Sequence, residues 1–191
     1  TAHRESLPGI EEAVAWIPHE VDQSGAGQLW ATSERMGFGS DALIHLSYGR
    51  PGAFPVYFDE AAGGTQGAVI SLTDDFSAPL LKGEQGPRDG QLYVTGFQIW
   101  GTRSRGTRTM ARIRHTDRPS PLPEEVRAGE QGVLLRFGIP LDSSIATDAT
   151  RYQVSRWNYQ RTQQYGSGHF NLEWTAGEVR LPVAAGHLRT D

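Results

Sequence analysis

Arg88-Asp89-Gly90-Gln91-Leu92-Tyr93-Val94-Thr95-Gly96-Phe97, residues 88–97, opens as a turn and continues as a strand. An Asp-Gly step tolerates the positive φ that a tight reversal needs. After it, Leu92, Val94 and Gly96 alternate with Tyr93, Thr95 and Phe97. That period of two places successive side chains on opposite faces of a sheet. Gly106 marks another turn, and Thr107 to His115 returns. There Met110, Arg112 and Arg114 share one face, and Thr109, Ala111 and Ile113 the other. Turn, strand, turn, strand predicts an antiparallel sheet.

The same grammar extends toward the N-terminus. Gln28–Thr32, Ala42–Ser47, Ala53–Phe58 and Gly67–Leu72 are short β-branched, aromatic or aliphatic runs bounded by Gly, Pro, Asp or Ser. Four such runs match one antiparallel sheet of the size of a propeller blade, and residues 91–115 read as a second, incomplete one. Helix signals are scarce. Only Gly9 to Trp16, with Ile10 and Val14 four apart, suits a short helical turn, and it runs into Pro18. The 23 glycines and 11 prolines interrupt the chain too often for long helices.

Asp117-Arg118-Pro119-Ser120-Pro121-Leu122-Pro123 is the clearest boundary. Prolines at alternate positions cannot pair inside a sheet and favour an extended spacer. Beyond it, Gly132 to Ile139 alternates, with Val133, Leu135, Phe137 and Ile139 predicted inward and Leu134 and Arg136 outward. Pro140-Leu141-Asp142 ends that strand. Thr150–Trp157, Phe170–Trp174 and Glu178–Pro182 supply three more. The expected fold is all-β: antiparallel propeller-blade-like sheets over residues 1–118, then an immunoglobulin-like β-sandwich over residues 119–191. Val183 to Thr190 reads as the start of a hairpin, with Asp191 where its turn would begin, so the sandwich is expected to be incomplete.

Composition removes several chemistries. With no cysteine there is no disulfide, thiol nucleophile, zinc–thiolate site or c-type haem attachment. The net charge of −4 gives no global field for nucleic acid. No run approaches the roughly 18 apolar residues of a membrane span, and Thr1 to Pro8 lacks a signal-peptide layout. Lys82 is the only lysine among the 18 basic residues; this arginine bias fits a GC-rich coding sequence.

No complete catalytic or metal motif emerges. His19-Glu20 needs a histidine at position 23 for a zinc helix, and Gln23 stands there. His19, Glu20 and Asp22 read instead as a polar loop bonded to a strand end. Gly25-Ala26-Gly27 lacks the third glycine of a dinucleotide loop, since Trp30 occupies that position. Gly101 to Gly106 lacks the spacing of a nucleophile elbow. The carboxylate pairs Asp59-Glu60 and Asp74-Asp75 lack a calcium-loop pattern and read as solvated turn charges.

Two groups remain as candidate contact surface. Arg103, Arg105, Arg108, Arg112 and Arg114 crowd one hairpin, where alternate members share a face. They suit a solvated face, an acidic protein partner or a phosphate site. Trp157, Tyr159 and Tyr165, with Arg156 and Arg161, suit core packing, a protein interface or sugar stacking.

Several segments together resemble a known family. These are Ile17-Pro18-His19-Glu20-Val21-Asp22 with Gly27-Gln28-Leu29-Trp30, then His45-Leu46-Ser47-Tyr48-Gly49 and Asp89 to Gly96. Farther on come Gly132 to Asp142, Tyr152 to Tyr159 and Tyr165-Gly166-Ser167. From about residue 16 onward the chain is similar to the late propeller and sandwich region of large secreted bacterial proteins of the glucose/sorbosone-dehydrogenase type. In those proteins a quinoprotein-type propeller is often fused to a c-type cytochrome. The resemblance places the catalytic histidine and the quinone contacts in earlier blades, so no catalytic residue, metal or cofactor transfers to a numbered position here. It implies a non-catalytic, periplasmic or otherwise extracytoplasmic accessory module that binds protein, in an assembly such as a cytochrome-bearing membrane electron-transfer complex. The alternatives are the C-terminal part of a quinone-dependent sugar or alcohol dehydrogenase, and a carbohydrate-binding module.

Overall fold

A computed structural model describes residues 13–33, 36–38, 42–61 and 64–189. Residues 9–12 of the predicted helical turn at 9–16 fall outside them, as do Thr190 and Asp191 of the predicted terminal hairpin; residues 13–16 are not helical. The chain is all-β with antiparallel pairing throughout the described strands. It divides into two compact units, one spanning residues 13–139 and the other including residues 140–189.

In the first unit a four-stranded meander follows chain order: β1 (Gly25–Ala31), β2 (Ala42–Ser47), β3 (Gly52–Ala61) and β4 (Gly64–Val69). Its register follows from which residues must be buried. Leu29 opposes Ile44 and Ile44 opposes Pro55, while Leu46 opposes Ala53. All these positions share the inner face, and a slip of one residue would turn them all to solvent. A three-stranded sheet comprises β5 (Lys82–Gln85), β6 (Leu92–Phe97) and β7 (Arg108–Ile113). The alternation expected for residues 92–97 and 108–113 is observed: Leu92, Val94 and Gly96 are buried, and Arg108, Met110 and Arg112 are exposed.

The inner faces of the two sheets close on one core of Leu29, Ala31, Ile44, Leu46, Ala53, Leu80, Leu92 and Val94. Glycine lets the backbones meet. A Cβ on Gly27 would collide with the Leu81 carbonyl, and one on Gly83 would press at 3.1–3.2 Å on Leu29, Val94 and Leu46. Four fully buried side chains, Ile44, Leu46, Leu80 and Leu92, contribute about 1.5–3 kcal/mol each.

The proline-rich stretch does not hang free. Leu122 packs against the core, and the Tyr57 hydroxyl donates to the Pro123 carbonyl at 2.6 Å. Burial, reinforced by Glu124, pushes the Tyr57 hydroxyl up to about 12. A hairpin follows, β8 (Glu125–Gly129) and β9 (Gly132–Arg136), tied to the meander where Gln66 donates to Ala128 O at 2.9 Å. Val133, Leu134 and Leu135 are all exposed. Of the set predicted inward, Val133 and Leu135 are therefore corrected to exposed positions, whereas Phe137 and Ile139 are half-buried. Asp59, expected in a turn, lies in β3, where it accepts from Gln66 at 2.9 Å and faces Arg127 at 3.7 Å.

In the second unit Asp142 caps a single helical turn, α1 (Ser143–Ala146), by accepting from Ser144 N at 2.9 Å. Asp148 does the same for a 3₁₀ turn at Ala149–Arg151. β10 (Val154–Arg156) pairs with β11 (Val179–Leu181). The strand predicted at 170–174 is reduced to bridges at Phe170, because Trp174 takes a positive φ of 62° and the chain turns there.

Candidate functional site

The outer face of the three-stranded sheet carries most of the arginine group. Lys82 opposes Thr95, which opposes Met110. Glu84 opposes Tyr93, which opposes Arg112, and Phe97 opposes Arg108. Phe97 and Met110 are thus diagonal neighbours, within reach of each other's side chains. They are 56% and 82% exposed. Arg114 continues the face just beyond β7. An apolar pair flanked by guanidinium groups therefore stands open to solvent.

Arg103 and Arg105 lie elsewhere, on the connection between β6 and β7. That connection is held by Tyr48, which is buried at the end of β2. Its hydroxyl accepts from Ile99 N at 2.5 Å and Trp100 N at 2.8 Å, and its ring lies 4.2 Å from that of Trp100. Arg103 N donates to Gly49 O, and Gly106 N to Ser77 O. These bonds order the backbone while Ile99, Trp100, Arg103 and Arg105 stay exposed. At the opposite end of the face, Asp89 is held below the usual carboxylate range by the Gln91 N–H, then the Tyr93 hydroxyl, with Arg112 adding attraction.

No protein-family model, curated protein or solved structure matches this chain. The chemistry of the faces themselves is the ground for any functional reading.

The aromatic group is drawn together differently from its sequence order. Trp157 stacks on His169 at 4.4 Å, and His169 Nδ1 lies 2.6 Å from Glu178 Oε1. Tyr159 and Arg161 are half-buried nearby in sequence, and Tyr165 is 70% exposed. His169 and Glu178 carried no signal in the sequence, because the bridges at Phe170 bring them to Trp157.

A buried polar contact also joins two residues distant in the sequence. His45 Nε2 on β2 meets Asp22 Oδ2 at 2.7 Å, and both side chains are largely buried. Burial pushes the Asp22 carboxyl up. Hydrogen bonds from His45 and Ser47, and the attraction of His45, outweigh this and hold it below the ordinary value. The polar-loop reading of residues 19–22 anticipated such a bond at a strand end; the partner lies within β2. Among the described residues no cluster of three His, Asp or Glu is placed to hold a metal ion, and no helix is long and apolar enough to cross a membrane.

Proposed function

We propose that this chain is a non-catalytic accessory module that binds an acidic protein surface through the outer face of the β5–β7 sheet. One observation carries the reading: Met110 lies exposed between Arg108 and Arg112, diagonal to an exposed Phe97 that opposes Arg108. Arg, Met and aromatic side chains are the residues enriched where proteins dock. The aromatic and thioether groups would hold the partner, and the arginines would guide its approach.

The wider setting rests on the sequence resemblance. It supports an extracytoplasmic location, a larger assembly such as a cytochrome-bearing electron-transfer complex, blade-like roles for the two sheets, and an immunoglobulin-like relationship for the later region.

A photo-reactive residue at Met110 or Phe97, expressed in the native cell, tests the reading. We expect cross-links to one protein through an acidic segment, and none from a control at Glu130. Met110→Asp and Arg108→Glu should each weaken capture at least about tenfold, a loss of about 1.4 kcal/mol. Absence of any cross-link at both positions, with the native protein sedimenting alone, overturns it. Quinone-dependent oxidation of a sugar by the purified chain would replace it with the dehydrogenase reading.

A further inference from the structure

We propose that the cleft beside Trp30 is a saccharide-binding subsite, at the end of the β5–β7 sheet away from Phe97, Met110 and Arg108. Trp30 stands on the outer face of the meander, in the row Trp30–Leu43–Val56. Phe58, two residues along β3, stacks on it with ring centroids 6.2 Å apart and planes 28° from parallel. Both rings are open to solvent, 55% and 44% exposed. Both are carried on paired strands of the meander, and each keeps open surface for a ligand.

Trp30 also lines an open cleft, together with Thr32, Glu84, Gln85, Arg88 and Asp89, among others. Part of the lining is locked. Gln85 Oε1 accepts from Thr32 N and Thr32 Oγ1 at 2.9 and 2.8 Å, and Gln85 Nε2 donates to Gly90 O at 2.9 Å. Asp89 accepts from Gln91 N and from the Tyr93 hydroxyl. Glu84, Arg88 and the Trp30 indole N–H have no hydrogen-bond partner among the described residues. Fixed walls with a few uncommitted polar groups describe a prepared site.

The chemistry selects the ligand class. A pyranose has an apolar C–H face that lies flat on an aromatic ring. Its vicinal hydroxyls donate to a carboxylate and accept from a guanidinium at once, which matches Glu84 and Arg88. A proline-rich peptide would also use the rings, but it would strip water from Glu84 and Arg88 without pairing both, which costs free energy. A nucleotide would bring its phosphate against two carboxylates, Glu84 and Asp89.

The test is a titration of the whole ¹⁵N-labelled chain with cellohexaose, chitohexaose and maltohexaose in turn, each to about 10 mM. The Trp30 indole resonance is assigned with Trp30→Phe. We expect at least one hexasaccharide to shift it, with a Kd of about 0.1–5 mM, equivalent to roughly −5.5 to −3 kcal/mol. Glu84→Gln and Arg88→Ala, both at exposed positions, should weaken that binding several-fold with the fold unchanged; Trp30→Ala should abolish it. No shift of the Trp30 signal with any of the three sugars overturns the proposal. So does a response confined to Trp157, or a decaproline peptide that binds more tightly than every sugar. The arginine-face variants Met110→Asp and Arg108→Glu should leave sugar binding intact, so this proposal and the protein-docking reading fail separately.

Discussion

Residues 13–139 and 140–189 are organised by different forces. The first unit has fully buried Ile44, Leu46, Leu80 and Leu92 between two sheets. In the second no described residue is buried. Its order comes from local polar contacts: the Asp142 and Asp148 caps, the short β10–β11 pair, and the Trp157–His169–Glu178 stack. Both regions have similar turn chemistry, and both contain strand-like alternation in sequence. The difference lies in whether a second layer exists to receive the apolar face. Where it does, burial makes the register unambiguous. In residues 140–189 the described strands are three residues long, and caps and turns carry much of the backbone.

The largest expected effect is a direct contrast of the two. Ile44→Ala should cost about 2–5 kcal/mol, because it empties a site sealed on all sides. Val179→Ala, at a half-exposed position in β11, should cost less than about 1 kcal/mol. Denaturant titration of both variants measures the gap; equal losses would break the contrast.

The Asp22–His45 contact gives a smaller, pH-dependent effect. The folded-state pKa of Asp22 lies below its ordinary 3.8. Its contribution is therefore present above pH about 4 and is lost as pH falls through the lower, folded value. Asp22→Asn should cost about 1–3 kcal/mol at neutral pH. The deficit should shrink when stability is measured progressively below pH 4. A deficit that stays constant with pH would assign the contact to shape rather than charge.

Tyr57 sharpens the picture at the other end of the scale. Tyr57→Phe removes one buried hydrogen bond to Pro123 and should cost about 1 kcal/mol. Its raised pKa of about 12 means the bond contributes fully below the ordinary value of 10.0 and is lost as pH rises through about 12. Wild type should therefore lose its advantage over Tyr57→Phe in alkaline unfolding curves. Unchanged stability at neutral pH would show that Leu122 alone holds the proline stretch against the meander.

Much of the strand order was legible because side-chain alternation is a local property. Residues 42–47 could be read as a strand, and residues 92–97 could be assigned faces from their own letters, as could Met110, Arg112 and Arg114. β5 was not legible. Lys82-Gly83-Glu84-Gln85 has no β-branched or aromatic residue, and it is a strand because β6 offers it a backbone edge and Gly83 admits Leu29, Leu46 and Val94. β8 was likewise hidden, since only the Gly129 to Gly132 reversal hints that Glu125–Gly129 must return against β9.

The sequence by itself determined the class of structure: antiparallel β, few helical turns, no thiol chemistry, and a strand face shared by Met110, Arg112 and Arg114. Tertiary structure alone decided which distant groups meet. It set Asp22 against His45, Trp30 against Phe58, Trp157 against His169, and Phe97 diagonal to Met110 on an uncovered face. The physical reason is one of range. Alternation and turn preference act over two to four residues along the chain. A cleft, an ion pair or a docking face is made where strand edges far apart in sequence are closed together by burial of a shared core.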